Sequence, residues 1–269
     1  MILQTISHLK KYNYSNELKL HLVNFEKIDF HQVCVFPYNI LVIVKEDDGT
    51  NASYISCKQT GEHHPLKGGN YYFIPTGMTV EYCLRLNISY YTFHVGLEIN
   101  PGIDLFSVCG QITVGDASKW EPLIEEVYQE ENEFLALCLI RKTLLDFFIT
   151  HWPSTGPRIG FIPNEFRDLT LDIQAQVNAT TTVGAMADRM NMTPEAFSRK
   201  FHRLIGVTPK AFIVKCLMDK IIADLCDSRK TIKDVARELN FSSEFYLSRF
   251  FKKSTGISPS SYRNMVRKP

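Results

Sequence analysis

"TIKDVARELNFSSEFYLSRFFKKSTGISPSSYR", from Thr231 to Arg263, says for a second time what the chain has already said once. Val183, Met186, Ala187 and Met190 recur 49 positions later as Ile232, Val235, Ala236 and Leu239. Ser198, Arg199, Phe201, Gly206, Pro209 and Phe212 recur 50 later as Ser248, Arg249, Phe251, Gly256, Pro259 and Tyr262. The one inserted residue falls in a turn. A repeat that keeps its phase on both sides of a turn marks two copies of one supersecondary unit. Each copy reads as a short helix, a sharp turn and a second helix.

In the first copy Val183, Met186, Ala187 and Met190 fall at i, i+3, i+4 and i+7, an apolar stripe of two helical turns. Asn191, and Asn240 in the second copy, tolerate the left-handed conformation that ends a helix. Thr193 then offers an N-cap hydroxyl with Pro194 at the first helical position; Ser242 or Ser243 is placed to cap the matching helix. On the helix after Thr193, Phe197, Phe201 and Leu204 face a core, which puts Glu195, Ser198, Arg199 and His202 on the opposite side. In the second copy Leu247 and Phe251 turn inward and Glu244, Phe245, Ser248, Arg249 and Lys252 outward.

Two readings of those outward faces stand. A capped amphipathic helix presents a solvated face as a matter of course, whereas a recognition helix presents the same face to base edges, with Phe245 placed to meet a thymine methyl. Two copies in register favour the second reading, as does charge. Residues 161 to 269 hold 18 Lys and Arg against 11 Asp and Glu, while residues 1 to 160 hold 12 against 18, so the net +1 conceals a +7 half and a −6 half. A basic module is what phosphate neutralisation needs. Lys200, Arg203, Lys252, Lys253 and Arg263 are its candidate phosphate contacts, with plain solubilising charge as the alternative for each.

The segment from about Asp168 to Arg267 resembles the DNA-binding domain of the AraC/XylS-type transcription regulators, most specifically over Thr231 to Arg263. The resemblance implies seven helices in two subdomains, with Pro209 to about Asp227 as the connecting helix. At about 1.5 Å per residue that helix spans about 27 Å. It would hold two recognition helices for successive major-groove turns, roughly 34 Å apart. Leu217 stands where the family commonly has Arg, which removes one salt bridge or phosphate contact.

The first half has another texture. "LKLHLVNF", "NILVIVK", "ASYISC", "NYYFIP", "VEYCLRL" and "SYYTFHV" are short runs rich in Val, Ile, Tyr and Phe between turn residues, the pattern of an antiparallel barrel or jelly roll. Gly69 followed by Pro75-Thr76-Gly77 resembles the second motif of the cupin barrel, which also forms the effector domain of AraC-type regulators. The metal-bearing His that motif implies is replaced by Val80, and Glu62-His63-His64 reads as a polar turn beside Pro65. Metal chemistry thus loses its ligands, so neither metal nor cofactor is expected. A binding pocket is the remaining use, and Tyr38, Tyr72, Arg85, Tyr90 and His94 are candidates to stack on and orient a sugar or other polar small molecule. Core packing with wet tips is the competing reading for each.

Trp120, Leu123, Ile124, Val127 and Tyr128 form one helical stripe; Phe134, Leu137, Cys138, Leu144, Leu145 and Phe148 form another. One face is available for the barrel and the other for a second subunit, unless both are spent within the chain. "HWPSTGPRIGFIPN", His151 to Asn164, holds three prolines and two glycines and reads as the linker. The seven scattered cysteines contain no C-x-x-C pair and read as reduced thiols, with a thiol sensor as the minor alternative. No apolar run of about 18 residues occurs, which argues against a signal or a membrane span.

The sequence therefore predicts a bacterial, cytoplasmic, non-enzymatic regulator. Its expected parts are a cupin-like β-barrel over 1–115, a helical dimerisation element over 116–151, a linker over 152–164 and a tandem helix-turn-helix domain over 165–269. Its expected partners are double-stranded DNA, a small-molecule effector with a carbohydrate as the candidate, a second copy in a homodimer, and RNA polymerase as a further protein candidate. A regulator without an effector and a cupin-type enzyme are the alternatives. The opposite charges of the two halves favour a docked arrangement at low salt.

Overall fold

Strand β8 (Ser89–Asn100) organises the N-terminal unit because both of its faces are buried from Tyr90 to Glu98. Tyr90 and His94 turn to an interior shared with Tyr38 and Phe36, while Tyr91, Phe93, Val95 and Leu97 turn to a second core on the other side. The computed structural model describes residues 17–24, 29–100, 102–107, 109–151 and 162–267. β8 lies between β1 (Glu17–Asn24) and β3 (Asn39–Glu46) in a sheet ordered β1-β8-β3-β6-β10, with β6 at Asn70–Ile74, β10 at Thr113–Asp116 and β9 (Ile103–Asp104) pairing β8 as well. A second sheet runs β2-β7-β4-β5, from Phe30–Val35, Thr79–Leu84, Tyr54–Cys57 and His63–Pro65. Every pairing in both sheets is antiparallel. The register sets Leu41 opposite Phe93 on one side and Phe73 on the other, so three large side chains line up across the outer face.

His63 and His64 do not sit in a turn: they form β5, an edge strand that pairs His64 with Ile55 and ends at Pro65. An edge position lets Pro close a strand without a missing ladder donor. The second helical stripe, too, is two stripes. In α2 (Glu133–Thr150), Leu144 and Phe148 join Ile140 and Phe147 against the barrel, but Phe134, Cys138 and Leu145 are exposed on the other face. Residues 134, 138 and 145 fall on one side of a 3.6-residue helix and 140, 144, 147 and 148 on the other; Leu137 points the same way as 144 and 148 but lies in the first turns of the helix and stays exposed. Before it, α1 (Glu121–Gln129) buries Ile124 and Val127 and leaves Tyr128 out.

Residues 152 to 161 of the expected linker lie outside the described residues. Beyond them the described residues form seven helices: α3 (Asn164–Gln176), α4 (Val183–Arg189), α5 (Pro194–Ile205), α6 (Pro209–Cys226), α7 (Ile232–Glu238), α8 (Glu244–Thr255) and α9 (Pro259–Arg267). Leu217, where the resemblance implies an Arg, is buried in α6 as part of the core. The barrel interior and the helical core form one continuous cluster, from Cys34, Phe36 and Tyr38 through Phe212 to Phe251 and Tyr262. Docking of the two halves is therefore sealed by apolar burial, in addition to their opposite charge.

Candidate nucleic-acid interface and effector barrel

The two recognition-type helices are built alike. Thr193 caps α5 by accepting from Ala196 N at 3.3 Å, and Ser243, not Ser242, caps α8 by accepting from Tyr246 N at 3.2 Å. Both end on a left-handed glycine, Gly206 at φ 87° and Gly256 at φ 81°. The preceding turns match as well, with Asn191 and Asn240 at φ 50° and 56°. Phe197 and Phe201 of α5, and Leu247 and Phe251 of α8, are fully buried. Burial of such large side chains fixes which face is left for solvent.

On α5 that outer face exposes Glu195, Arg199, His202 and Arg203, with Ser198 half-buried. On α8 it exposes Phe245 (76% accessible), Arg249, Lys252 and Lys253, with Glu244 and Ser248 half-buried. Two of the expected phosphate contacts are engaged within the domain. The Lys200 ammonium lies over the Phe166 ring, 5.0 Å from its centroid, and Arg263 Nε donates to Leu225 O at 3.1 Å, stapling α9 to the end of α6. Tyr246, not singled out by sequence, is also exposed on α8, with its ring 6.0 Å from Phe241. The helix preceding α8 starts with a capping box in which Thr231 and Asp234 bond reciprocally, legible as Thr-x-x-Asp in the sequence. Lys230 bridges Asp224 of α6 and Glu238 of α7, both at 2.6 Å, and ties the connecting helix to the second unit.

In the barrel the structure brings four of the five pocket candidates to the interior. Tyr38 stacks on His94 with ring centroids 4.7 Å apart and on Phe36 at 5.3 Å; Tyr90 and Tyr72 belong to the same cluster. Tyr72 is also a structural clamp, since its hydroxyl donates to Pro65 O at 2.7 Å and accepts from Lys67 N at 2.8 Å. Arg85 is elsewhere, half-exposed on the turn after β7 and paired with Asp29 at 3.3 Å. Val80 is fully buried among the interior side chains. Among the described residues no group of three or more His, Cys, Asp or Glu is arranged to hold a metal ion.

A polar centre that sequence reasoning missed lies where the barrel meets α6. Lys215 Nζ donates to Glu98 Oε1 at 2.7 Å and to Asp219 Oδ2 at 2.8 Å. Glu98, 1% accessible, also accepts from Gly102 N at 2.9 Å and from Gln174 Nε2 of α3 at 3.3 Å. Burial pulls Lys215 toward neutrality, but Asp219 and Glu98 together hold its pKa well above the ordinary ammonium value. Nearby Asp104 accepts from Asn39 Nδ2, Leu97 N and Phe106 N; burial pushes it up to about 6 even though Lys215 and those donors pull it down. Nothing in local sequence pairs two residues 117 positions apart.

The likenesses to known proteins agree with this geometry. The helix-turn-helix domain family matches residues 186–265. The lactose operon transcription activator of Staphylococcus xylosus is 22% identical over 244 residues, 86% of this chain and 85% of that one. The chain carries this helix-turn-helix domain and is similar to the AraC/XylS-type transcription regulators. Over 132 residues this regulator is 28% identical to the arabinose operon regulatory protein of Escherichia coli, covering 49% of itself and 44% of that relative. Its fold matches apo ToxT from Vibrio cholerae with a TM-score of 0.63 at 11% identity, over 95% of this chain and 99% of that one. It matches unsaturated-fatty-acid-bound ToxT at 0.58 and 11%, over 94% and 98%. At such identity these two establish a shared architecture, barrel and helical domain together. Among the described residues no helix is long and apolar enough to cross a membrane.

Proposed function

We propose that this DNA-binding regulator reads two adjacent major-groove segments of duplex DNA with α5 and α8, under the control of a small molecule held in the barrel. The observation that carries the proposal is the pair of identically capped helices, each with its inner face spent in the core and its basic outer face exposed. Arg199, His202, Arg249 and Phe245 are the proposed base readers, with Glu195, Ser198, Glu244 and Ser248 beside them; Arg203, Lys252 and Lys253 are the proposed phosphate contacts. The location implied is the cytoplasm, where the DNA is.

For the effector, the stacked Phe36, Tyr38 and His94 support a ligand with a flat apolar face and polar edges, and a sugar fits that description. The names of the lactose and arabinose relatives support the same class. A second reading, a regulator with no effector, is favoured by one fact: these rings already pack on each other. A homodimer through the exposed face of α2 completes the proposal. The deciding experiment selects duplexes from a random library with the full chain and then measures their binding with and without a panel of sugars and an unsaturated fatty acid. A selected site with two half-sites about one helical turn apart, whose affinity changes with a sugar, is expected. A fatty acid response alone replaces the sugar, no response by any ligand leaves the effector-free reading, and failure to enrich any sequence overturns the reading as a specific regulator.

A further inference from the structure

The barrel touches both halves of the DNA reader. At one end, the Glu98 carboxylate ties the β8–β9 turn to Gln174 on α3 and to Lys215 on α6. Gly102 in that turn sits so close to α6 that a Cβ there would meet Phe212 Cε2 at 2.6 Å and Cys216 Sγ at 2.9 Å. At the other end, β2 lies against the C-terminal cap of α8. A Cβ on Gly256 would meet Cys34 Sγ at 2.6 Å and Val33 O at 2.9 Å. Beside it, Tyr38 of the barrel and Tyr262 of α9 are buried close enough for each hydroxyl to alter the other's ionisation. The first set of contacts holds α3 and α6, the second holds α8 and α9.

We propose that the barrel is a cross-brace for the DNA reader, in which Glu98 at one end and the Cys34 edge of β2 at the other are positioning residues that set the angle and separation of α5 and α8. The inference rests on the reading that these two helices engage DNA together. Each unit is already packed on the connecting helix, the second through Lys230 and Arg263, and a third body fastened to both restricts whatever rolling about that helix remains. The fastening is specific at the Glu98 end, because a buried ammonium needs its carboxylates in fixed places. Asp219 lies on α6 itself, four residues from Lys215, so it neutralises the ammonium without joining the halves. Glu98 does both. At the Cys34 end the fastening is steric: close-packed surfaces transmit a displacement of a few tenths of an ångström instead of absorbing it. A ligand that moves β2 or β8 inside the barrel therefore has a direct mechanical route to the spacing of the reading helices, without covering either of them.

The test uses the full chain with spin labels on non-canonical residues at positions 202 and 252, both exposed. The wild-type protein is expected to give one narrow interspin distance. Glu98→Gln keeps volume and leaves Asp219 to hold Lys215, so the chain folds, and the distance distribution broadens or shifts. Gly256→Ala, acting at the opposite end, does the same, while Gly206→Ala, an equally left-handed cap in the first unit, and Asp219→Asn leave the distribution narrow. Circular dichroism confirms that each variant is folded. On DNA, Glu98→Gln is expected to lose on the order of tenfold in affinity for a selected two-half-site duplex and little for the same duplex with one half scrambled, as linked binding predicts. Unchanged distances in both folded variants, or equal loss on the two duplexes, overturn the brace. Because the distance is read without DNA, its failure tells against the brace alone and leaves the DNA reading to its own test.

Discussion

Asn191 and Asn240 hold the same left-handed conformation, φ 50° and 56°, at the same point of two helix-turn-helix units. Around each, the closing hydrogen bond is also the same: Met192 N donates to Ala187 O at 3.0 Å, and Phe241 N to Ala236 O at 2.8 Å. A left-handed L-residue costs about 1–2 kcal/mol, least for Asn and Gly. Asn240→Ala is expected to destabilise the chain by about 1 kcal/mol and Asn240→Gly to be close to neutral, as read by urea unfolding. Equal effects of the two would mean that the side chain, and not the backbone, is what the turn requires.

Arg249 and Lys253 lie one turn apart on α8, both exposed, and the proposed reading gives them different contacts. If Arg249 forks onto a guanine edge, Arg249→Ala weakens the selected site by roughly 1–3 kcal/mol and random DNA much less. Lys253→Ala is expected to weaken both equally and to lower the salt slope of binding by about one. Titrations on selected and random duplexes at several salt concentrations check both.

Outside the barrel, α2 leaves Phe134 (76% accessible), Ile149 (72%), Leu137 and Leu145 uncovered along its length. A stripe of this kind is what an isologous helix pair buries. Phe134→Glu together with Ile149→Lys is expected to turn a dimer into a monomer in sedimentation while leaving the unfolding transition in place. A wild-type chain that sediments as a monomer at every concentration would remove the dimer from the proposal.

Glu125 fastens α1 to the barrel: its carboxylate accepts from the Tyr91 hydroxyl, from Lys45 Nζ at 3.0 Å and from Gln129 Nε2 at 3.2 Å. The Tyr91 hydroxyl first, then Lys45 and Gln129, hold its pKa down at about 2. A depressed carboxylate contributes stability that is complete above its unfolded value, about 4.3, and is lost as pH falls toward 2. Glu125→Gln should therefore lower Tm at pH 7, and the gap to wild type should close between about pH 4.5 and 2. A gap that is constant across that window would mean the pair contributes packing and not charge.

Much of this protein was legible in local pattern. The 49- and 50-residue repeat, the Asn turns, the Thr193 cap and the inward Phe197, Phe201, Leu247 and Phe251 follow from helix periodicity and capping chemistry, which act over a few residues and leave their mark in order along the chain. The strand runs of the first half were legible for the same reason, although the short β9 and the exposed β10 were not, because neither carries an apolar alternation of its own. What tertiary structure alone decided was which faces meet. It split the stripe of α2 into a buried and an exposed side, drew Lys200 onto Phe166 and Arg263 onto Leu225, set Arg85 apart from the other pocket candidates, and made β5 of His63 and His64. Above all it joined Glu98 to Lys215 and Cys34 to Gly256. Such contacts depend on how two finished units pack, and packing is a property of surfaces whose residues come from distant parts of the chain, so no window of sequence contains it.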